Sequence, residues 1–236
     1  MRNFRHLKFG LLAWKAIIYR LISIGIFWVI FGQKFALLAG AIAFTWYYIY
    51  DWIFHKLFRL STDTGFVLWF TGLPCSGKST IADVIASKLR QKGIKVERLD
   101  GDVVRQGKLS DDLGFSKEDR DKNINRVNFV SKVLSRNGVA VLASFVSPYK
   151  ETRNKIRKNV TNFIEVYVKA SAEECARRDV KGMWAQAKGG KIKGFTGYDD
   201  PYESPEKAEI ILDTQKETIE KSAENVITYL KKASLI

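Results

Sequence analysis

The stretch that decides the fold is Gly72-Leu73-Pro74-Cys75-Ser76-Gly77-Lys78-Ser79-Thr80. It matches G-x-x-x-x-G-K-[ST], the pattern of a loop that wraps phosphate groups. An apolar run of strand length, residues 66–70, precedes it, and an amphipathic pattern from residue 77 to about residue 91 follows it. The spacing therefore predicts a buried strand, a phosphate-binding loop and a helix in immediate succession.

The chemistry of this loop predicts a site for ATP and Mg²⁺. Its glycines allow backbone N–H groups to face phosphate oxygens, and the N-terminus of the following helix adds a favourable dipole. Lys78 is expected to reach the β- and γ-phosphates, and the Ser79 hydroxyl is expected to ligate the metal. We therefore predict that the whole loop, from Gly72 to Thr80, binds the nucleotide.

Four further predicted strands alternate with helical patterns along the rest of the chain. The strands are residues 95–99, 139–144, 163–168 and 210–212, and the clearest helical pattern covers residues 118–137. Strands that alternate with helices form a parallel sheet covered on both faces, and ligands then bind at the carboxyl ends of the strands. The sequence thus predicts an α/β fold with three layers.

Two acidic residues follow the second predicted strand, in Asp100-Gly101-Asp102. The third predicted strand ends at Ser144 without the acidic residue expected of a Walker B strand. Asp100 and Asp102 are therefore the candidates for assisting the metal and for orienting or deprotonating an acceptor hydroxyl. Both histidines of the chain precede residue 61, so we predict that Asp102 is the base. A simple turn is the alternative interpretation of this tripeptide.

A basic, glycine-rich segment spans residues 181–197. It carries Lys181, Lys188, Lys191 and Lys193 among five glycines. Phosphoryl transfer needs cations against the charge of the transferring group, and it needs water to be excluded. We therefore predict a mobile basic lid, with a solvated loop as the alternative.

Several blocks of sequence, taken in chain order, resemble the adenylylsulfate kinase family. They include the phosphate loop, residues 99–105, residues 112–120, Ser147-Pro148-Tyr149, residues 178–184 and Gly194-Phe195-Thr196-Gly197. The resemblance implies a P-loop kinase-like three-layer sandwich with a parallel central sheet. It also implies transfer of the ATP γ-phosphate to the 3′-hydroxyl of adenosine 5′-phosphosulfate, which yields 3′-phosphoadenosine 5′-phosphosulfate and ADP.

The resemblance further implies an acceptor pocket. Phe115 and Phe195 are expected to sandwich the acceptor adenine, because a flat purine stacks well on aromatic rings. Arg105, Arg120 and Asn123 are expected to hold the phosphosulfate and the ribose. The full predicted set of acceptor-binding residues is Asp102, Arg105, Phe115, Arg120, Asn123, Ser147, Lys181, Phe195 and Thr196.

Ser147 matches a serine that is sometimes described in this family as a phosphoserine intermediate. The sequence offers no base beside it, so we predict direct in-line transfer, with Ser147 shaping the acceptor pocket. The predicted catalytic set is Lys78, Asp100, Asp102 and Ser147.

Three positions depart from the family pattern. Val103 stands in place of asparagine, Trp184 in place of tyrosine and Ala208 in place of proline. None of these changes removes a charge needed for phosphoryl transfer. They leave open a related kinase that acts on another nucleotide-like acceptor, such as cytidine diphosphoramidate.

Charge and hydropathy divide the 236-residue chain near residue 60. The net charge is +14, and half of it lies in the first sixty residues, where eight Lys or Arg accompany one acidic residue. Two apolar runs, residues 11–31 and 35–54, are each long enough for a membrane-spanning helix. We therefore predict a transmembrane hairpin over residues 1–60 and a kinase-like domain over residues 61–236.

The distribution of Lys and Arg around the predicted hairpin places both of its ends, and the kinase-like domain, in the cytoplasm. Interfacial helices, or helices that pack on a partner subunit, are the alternatives. The remaining charge suits two polyanionic substrates, and no base-reading element is recognisable, so we expect no nucleic-acid partner. A non-catalytic nucleotide-binding or nucleic-acid-binding module is the alternative class, and the oligomeric state is open, with a homodimer among the options.

Overall fold

The computed structural model describes Ile22, residues 45–49 and residues 65–236. The chain divides into two units, residues 1–60 and 61–236, which we describe separately. In the first unit Ile22 and residues 45–49 are helical, and the rest of the predicted hairpin lies outside the described residues. Within the part of the chain that is described, no helix combines the length and the apolar character needed to cross a membrane.

A sheet of five parallel strands forms the centre of the second unit. Its strands are β1 Val67–Thr71, β2 Val96–Asp100, β3 Ala140–Ser144, β4 Phe163–Lys169 and β5 Ile210–Asp213. They lie in the order β2-β3-β1-β4-β5, and every neighbouring pair is parallel. Each strand begins and ends within one residue of its predicted bounds, so the predicted parallel sheet is confirmed.

Helices cover both faces of the sheet. They are α1 Lys78–Gln91, α2 Gly101–Gln106, α3 Lys117–Arg136, α4 Lys150–Asn159, α5 Ala172–Arg178, α6 Met183–Lys188 and α7 Ile219–Lys232. One face packs against the apolar sides of α1 and α7, and the other packs against α3 and α4. The predicted three-layer sandwich is therefore present.

β1 lies in the middle of the sheet, and all five of its residues are buried. Leu68 and Phe70 point into the layer that holds α1 and α7, whereas Val67 and Trp69 point into the layer that holds α3 and α4. Burial on both faces explains why this strand is a continuous apolar run without alternation. The phosphate loop leaves its carboxyl end at the centre of the sheet.

The helix starts differ in a way that bears on ligand binding. The Ser116 hydroxyl caps α3 by accepting a hydrogen bond from the Asp119 N–H at 3.1 Å, and Ser171 and Thr218 cap α5 and α7 in the same manner. In contrast, the N-cap of α1 is Gly77, which offers no side-chain cap, and the first turn of this helix has no acidic residue. The free N–H groups at its first turn are therefore left for a ligand.

The segment predicted as a lid contains a short helix. α6 lies within it, and Trp184 and Ala187 on that helix are buried together with Phe195. The Trp184 indole N–H also donates to the Pro74 carbonyl oxygen at 3.2 Å. The alternative of a solvated loop is therefore wrong for residues 183–188, which pack against the phosphate loop, and the mobility of the predicted lid stays a prediction.

Candidate active site

The phosphate loop is held in a conformation that needs its glycines. Gly72 has φ +151°, and a Cβ atom there would lie 2.4 Å from the carbonyl oxygen of Val168 on β4. Gly77 has φ +100°, in the left-handed region that favours glycine. The loop can therefore approach β4 and turn into α1 only with glycine at these two positions.

Lys78 folds back over the loop that precedes it. Its Nζ donates to the carbonyl oxygens of Gly72 at 3.0 Å and Leu73 at 2.7 Å. Burial lowers the pKa of this ammonium group to about 8. The Ser76 hydroxyl beside it is fully buried and has no hydrogen-bond partner. A buried cation in a glycine loop is a group that a nucleotide phosphate would satisfy.

Ser79 and Asp100 form the metal side of the loop. The Ser79 hydroxyl donates to Asp100 Oδ2 at 2.5 Å, and Asp100 stands opposite Ser144 in the register of β2 and β3. The carboxylate that β3 lacks is therefore supplied by its neighbour β2. A hydroxyl and a carboxylate are oxygen ligands of the kind that Mg²⁺ prefers, so these two residues suit the metal.

Asp102 and Asp100 lie in different parts of the site. Asp102 lies in the first turn of α2, where its backbone N–H donates to Asp100 Oδ1 at 3.1 Å. Its carboxylate forms an ion pair with Lys181, and this hydrogen bond raises the pKa of the lysine. Both side chains are more than half exposed. Asp100 therefore contacts the phosphate loop, whereas Asp102 contacts the predicted lid.

Ser147 is buried, with 3% of its surface exposed. Its hydroxyl accepts a hydrogen bond from the Trp69 indole N–H at 3.0 Å and donates to the Phe145 carbonyl oxygen at 3.4 Å. An indole N–H and a backbone carbonyl cannot act as bases. The hydroxyl is therefore held in place by two neutral partners, neither of which can activate it as a nucleophile.

Two aromatic residues line the acceptor side of the cleft. Phe195 is 8% exposed and meets Trp184 edge to face, with ring centroids 5.1 Å apart. Phe115 is 68% exposed, and the Arg105 guanidinium lies 4.3 Å from its ring centroid. Phe195 is therefore held in place within a small core, whereas Phe115 is exposed and is supported by the Arg105 guanidinium.

The predicted acceptor-binding arginines hold loops in this structure. Arg105 donates to the carbonyl oxygens of Leu113 at 2.7 Å and Gly114 at 3.0 Å. Arg120 donates to the Phe115 carbonyl oxygen at 2.8 Å, to the Gly194 carbonyl oxygen at 2.5 Å and to the Thr196 hydroxyl. Arg120 thus ties the two segments that carry the aromatic residues. Direct contact of either guanidinium with a phosphosulfate stays a prediction.

A single cleft of about 990 Å³ brings most of the predicted site residues together. Asn123 lines it with a buried side-chain oxygen that has no hydrogen-bond partner, as a ligand-binding group would. The predicted residues that line this cleft are Pro74, Cys75, Gly77, Lys78, Ser79, Thr80, Asp100, Asp102, Arg105, Phe115, Arg120, Asn123, Ser147, Lys181, Phe195 and Thr196.

The other predicted residues lie elsewhere. Gly72 and Ser76 belong to the loop but do not line the cleft, and Leu73 lines a separate cavity of about 560 Å³. Of the four lysines of the predicted lid, Lys181 lines the cleft, whereas Lys188, Lys191 and Lys193 do not and are exposed.

Arg178 and Thr214 also line the cleft and were missed by the sequence analysis. Arg178 donates to the Thr214 hydroxyl at 3.0 Å and to its carbonyl oxygen at 2.8 Å, and the Thr214 hydroxyl donates to the Ser76 carbonyl oxygen at 3.1 Å. The pair therefore supports the phosphate loop from the end of β5. The position of Thr214, two residues after the predicted strand 210–212, was a usable signal.

Known proteins resemble this chain in sequence and in fold. The family model for adenylylsulphate kinase matches residues 64–213. A protein of Pseudomonas aeruginosa named probable adenylyl-sulfate kinase is 58% identical over 163 residues, 69% of this chain and 76% of its own. The adenylyl-sulfate kinase of Halothermothrix orenii is 51% identical over 177 residues, 75% of this chain and 95% of its own.

A solved structure agrees with these matches. The APS kinase of Mycobacterium tuberculosis, in complex with AMPPNP and APS, has a TM-score of 0.69 and 40% sequence identity, over 72% of this chain and 99% of that chain. The resemblance of the sequence blocks is thus confirmed by the family model, by the relatives and by the fold. The chain belongs to the adenylylsulphate kinase family.

Proposed function

We propose that this protein transfers the γ-phosphate of ATP to the 3′-hydroxyl of adenosine 5′-phosphosulfate. One observation carries the proposal: a single cleft is lined by most of the phosphate loop, by two carboxylates and by the aromatic residues Phe115 and Phe195. The solved relative from Mycobacterium tuberculosis binds AMPPNP and APS and shares 40% of its sequence with this chain.

The loop and α1 bind the ATP phosphates. The free N–H groups of the first turn of α1 face the phosphate oxygens, and Lys78 exchanges its loop carbonyl partners for the β- and γ-phosphates. Ser79 and Asp100 would hold Mg²⁺, which would neutralise charge on the phosphates when bound. Arg178 and Thr214 keep the loop in shape through the Ser76 carbonyl oxygen.

Asp102 acts on the acceptor. It orients the 3′-hydroxyl and accepts its proton while the new bond forms from the 3′-oxygen to the γ-phosphorus and the bond from that phosphorus to ADP breaks. Lys181, which is paired with Asp102 in the free enzyme, then becomes available to balance charge on the transferring group. Ser147 stays bonded to Trp69 and shapes the pocket, so transfer is direct.

An acceptor screen tests the proposal. Release of ADP by the purified protein is measured with adenosine 5′-phosphosulfate and with cytidine diphosphoramidate, and Lys78→Ala serves as the inactive control. We expect turnover with the first acceptor, because Phe115 and Phe195 offer the stacking surface that a purine needs. Turnover with the cytidine compound alone would establish the alternative kinase instead.

We further propose that residues 1–60 anchor the enzyme in a membrane, with the kinase domain in the cytoplasm. The proposal is supported by the two apolar runs and by the excess of Lys and Arg around them. The relative from Halothermothrix orenii is matched over 95% of its length by 177 residues of this chain, which supports a kinase domain that folds without the first sixty residues.

Fractionation of cells tests the location. The full chain is expected in the membrane fraction after a high-salt wash, and a variant that lacks residues 1–60 is expected in the supernatant with full activity. Recovery of the full chain in the supernatant would refute the anchor, and a folded but inactive truncation would place these residues in the catalytic unit. Light scattering on the truncated protein decides whether it is a homodimer.

A further inference from the structure

Arg98 occupies a position on β2 that the proposed mechanism does not use. It precedes Asp100 by two residues, so the two side chains share one face of the strand. Its guanidinium, 15% exposed, donates to Asp83 Oδ1 at 2.9 Å, to the Ser144 hydroxyl at 2.9 Å and to the Ser79 carbonyl oxygen at 3.3 Å. One side chain thus joins β2, the end of β3 and the start of α1.

These contacts surround the metal side of the phosphate loop. Arg98 Nη2 lies 3.9 Å from Asp100 Oδ2, the same oxygen that accepts the Ser79 hydroxyl at 2.5 Å. The guanidinium therefore contacts Ser79 through its backbone and Asp100 through its charge. Ser144, opposite Asp100 in the sheet, is held by the same group. Arg98 is therefore in contact with both residues that supply the oxygen donors.

We infer that Arg98 is a positioning residue, which holds Ser79 and Asp100 at the spacing that binds Mg²⁺ together with a nucleotide. The inference rests on the ATP-binding half of the proposed function and is independent of the acceptor. The planar fork of arginine reaches three partners in fixed directions, which the single ammonium group of lysine cannot do.

If Arg98 acts only through its charge, its removal should strengthen Mg²⁺ binding, whereas if it positions the metal ligands, its removal should weaken Mg²⁺ binding. These opposite effects make the inference testable. Removal of a cation near a metal site relieves repulsion, so an effect of charge alone would strengthen Mg²⁺ binding. Removal of a residue that orients metal ligands weakens metal binding, by about 10- to 100-fold in known sites. The sign of the change therefore distinguishes the two roles.

The experiment measures ADP binding to the full chain by titration calorimetry, first without metal and then at increasing Mg²⁺ concentrations. In Arg98→Met, we expect the half-saturating Mg²⁺ concentration to rise by about 10- to 100-fold, and we expect the metal-free affinity for ADP to stay unchanged. Arg98→Lys is expected to show a rise as well, because it keeps the charge but loses the fork.

Arg90→Met is the matched control. Arg90 lies on α1, and its contact with the Val96 carbonyl oxygen is long, at 3.5 Å, so its replacement is expected to leave the Mg²⁺ requirement unchanged. Should Arg98→Met not fold, Ser144→Ala decides, because it removes an uncharged partner of the guanidinium, 2.9 Å away, and is expected to raise the Mg²⁺ requirement without any change in charge.

Two results would overturn the inference. The first is an unchanged or lower half-saturating Mg²⁺ concentration in Arg98→Met, or in Ser144→Ala where that variant decides. The second is an equal loss of ADP affinity with and without the metal, which would show a general structural role. Because no acceptor is present, a failure of the proposed acceptor leaves this outcome unaffected.

Discussion

Replacing Ser147 by alanine separates a structural role of this residue from a covalent one. The change removes the acceptor of the Trp69 indole N–H, 3.0 Å away, in an interior where Trp69 is fully buried. A buried donor without a partner costs about 1–3 kcal/mol. In a domain of this size each kcal/mol shifts the Tm by about 2–4 °C, so we expect the Tm to fall by about 2–12 °C.

Catalysis is expected to respond much less than stability. If transfer is direct, alanine removes no group that forms or breaks a bond, and we expect kcat to stay within about tenfold, or about 1.4 kcal/mol of barrier. The ADP-release assay measures this. A loss of more than about a thousandfold with intact ATP binding would instead require a phosphoserine and would refute direct transfer.

A double-mutant cycle tests the physical reason for the lost stability. Trp69→Phe removes the donor, so Ser147→Ala in that background should cost less free energy of unfolding than it costs in the native chain. The expected interaction energy between the two positions is about 0.5–3 kcal/mol. Additive effects in chemical denaturation, or an unchanged Tm in Ser147→Ala, would show that the indole contact does not stabilise the pocket.

Four further outcomes follow from the site. Lys78→Ala is expected to abolish ADP release while circular dichroism stays unchanged, because the side chain serves the phosphates. In the native enzyme, affinity for ADP is expected to fall as the pH rises through about 8, the pKa of Lys78. The pKa of Lys78 is about 8 in the folded enzyme and has its ordinary value of 10.5 in the unfolded chain. As the pH rises between these two values the folded enzyme loses its buried charge first, so the ligand-free enzyme becomes more stable to denaturants. Asp102→Asn should lower kcat by about 10²- to 10⁴-fold without changing the KM for ATP, and a near-normal rate would refute its role as base. Phe115→Ala should raise the KM for the acceptor with less than about 0.5 kcal/mol lost in stability, whereas Phe195→Ala should also cost about 3–5 kcal/mol in chemical denaturation, because Phe195 is buried.

The fold was predictable because its central strands β1 and β3 are buried on both faces. Such strands appear as continuous apolar runs, and the loop from Gly72 to Thr80 fixes the position of the first one. The site was predictable for a related reason. Parallel strands bring their carboxyl ends to one edge of the sheet, so Asp100, which ends β2, and Ser147, which follows β3 closely, both lie at the cleft.

The contacts that could not be predicted from the sequence depend on which strands are neighbours in the sheet. Arg98 acts by joining β2 to β3 and α1, and nothing local in the sequence states that β3 lies between β2 and β1. The bond from Trp69 to Ser147 spans 78 residues for the same reason. α6 was missed because six residues are too few to show a helical period, and Trp184 is held there by contacts with Phe195 and Pro74.

Because β1 lies at the centre of the sheet, the ATP side and the acceptor side of the cleft are built from different segments of the chain. The ATP side comes from the segment after β1 and from Thr214 after β5, whereas most of the acceptor side comes from the segments after β2 and β3. We therefore expect that exchange of residues 101–116 and 145–149 between related kinases changes the acceptor side of the cleft and leaves the loop that holds ATP unaltered. Recombination at these segments is then a route by which one phosphate donor site acquires new acceptors.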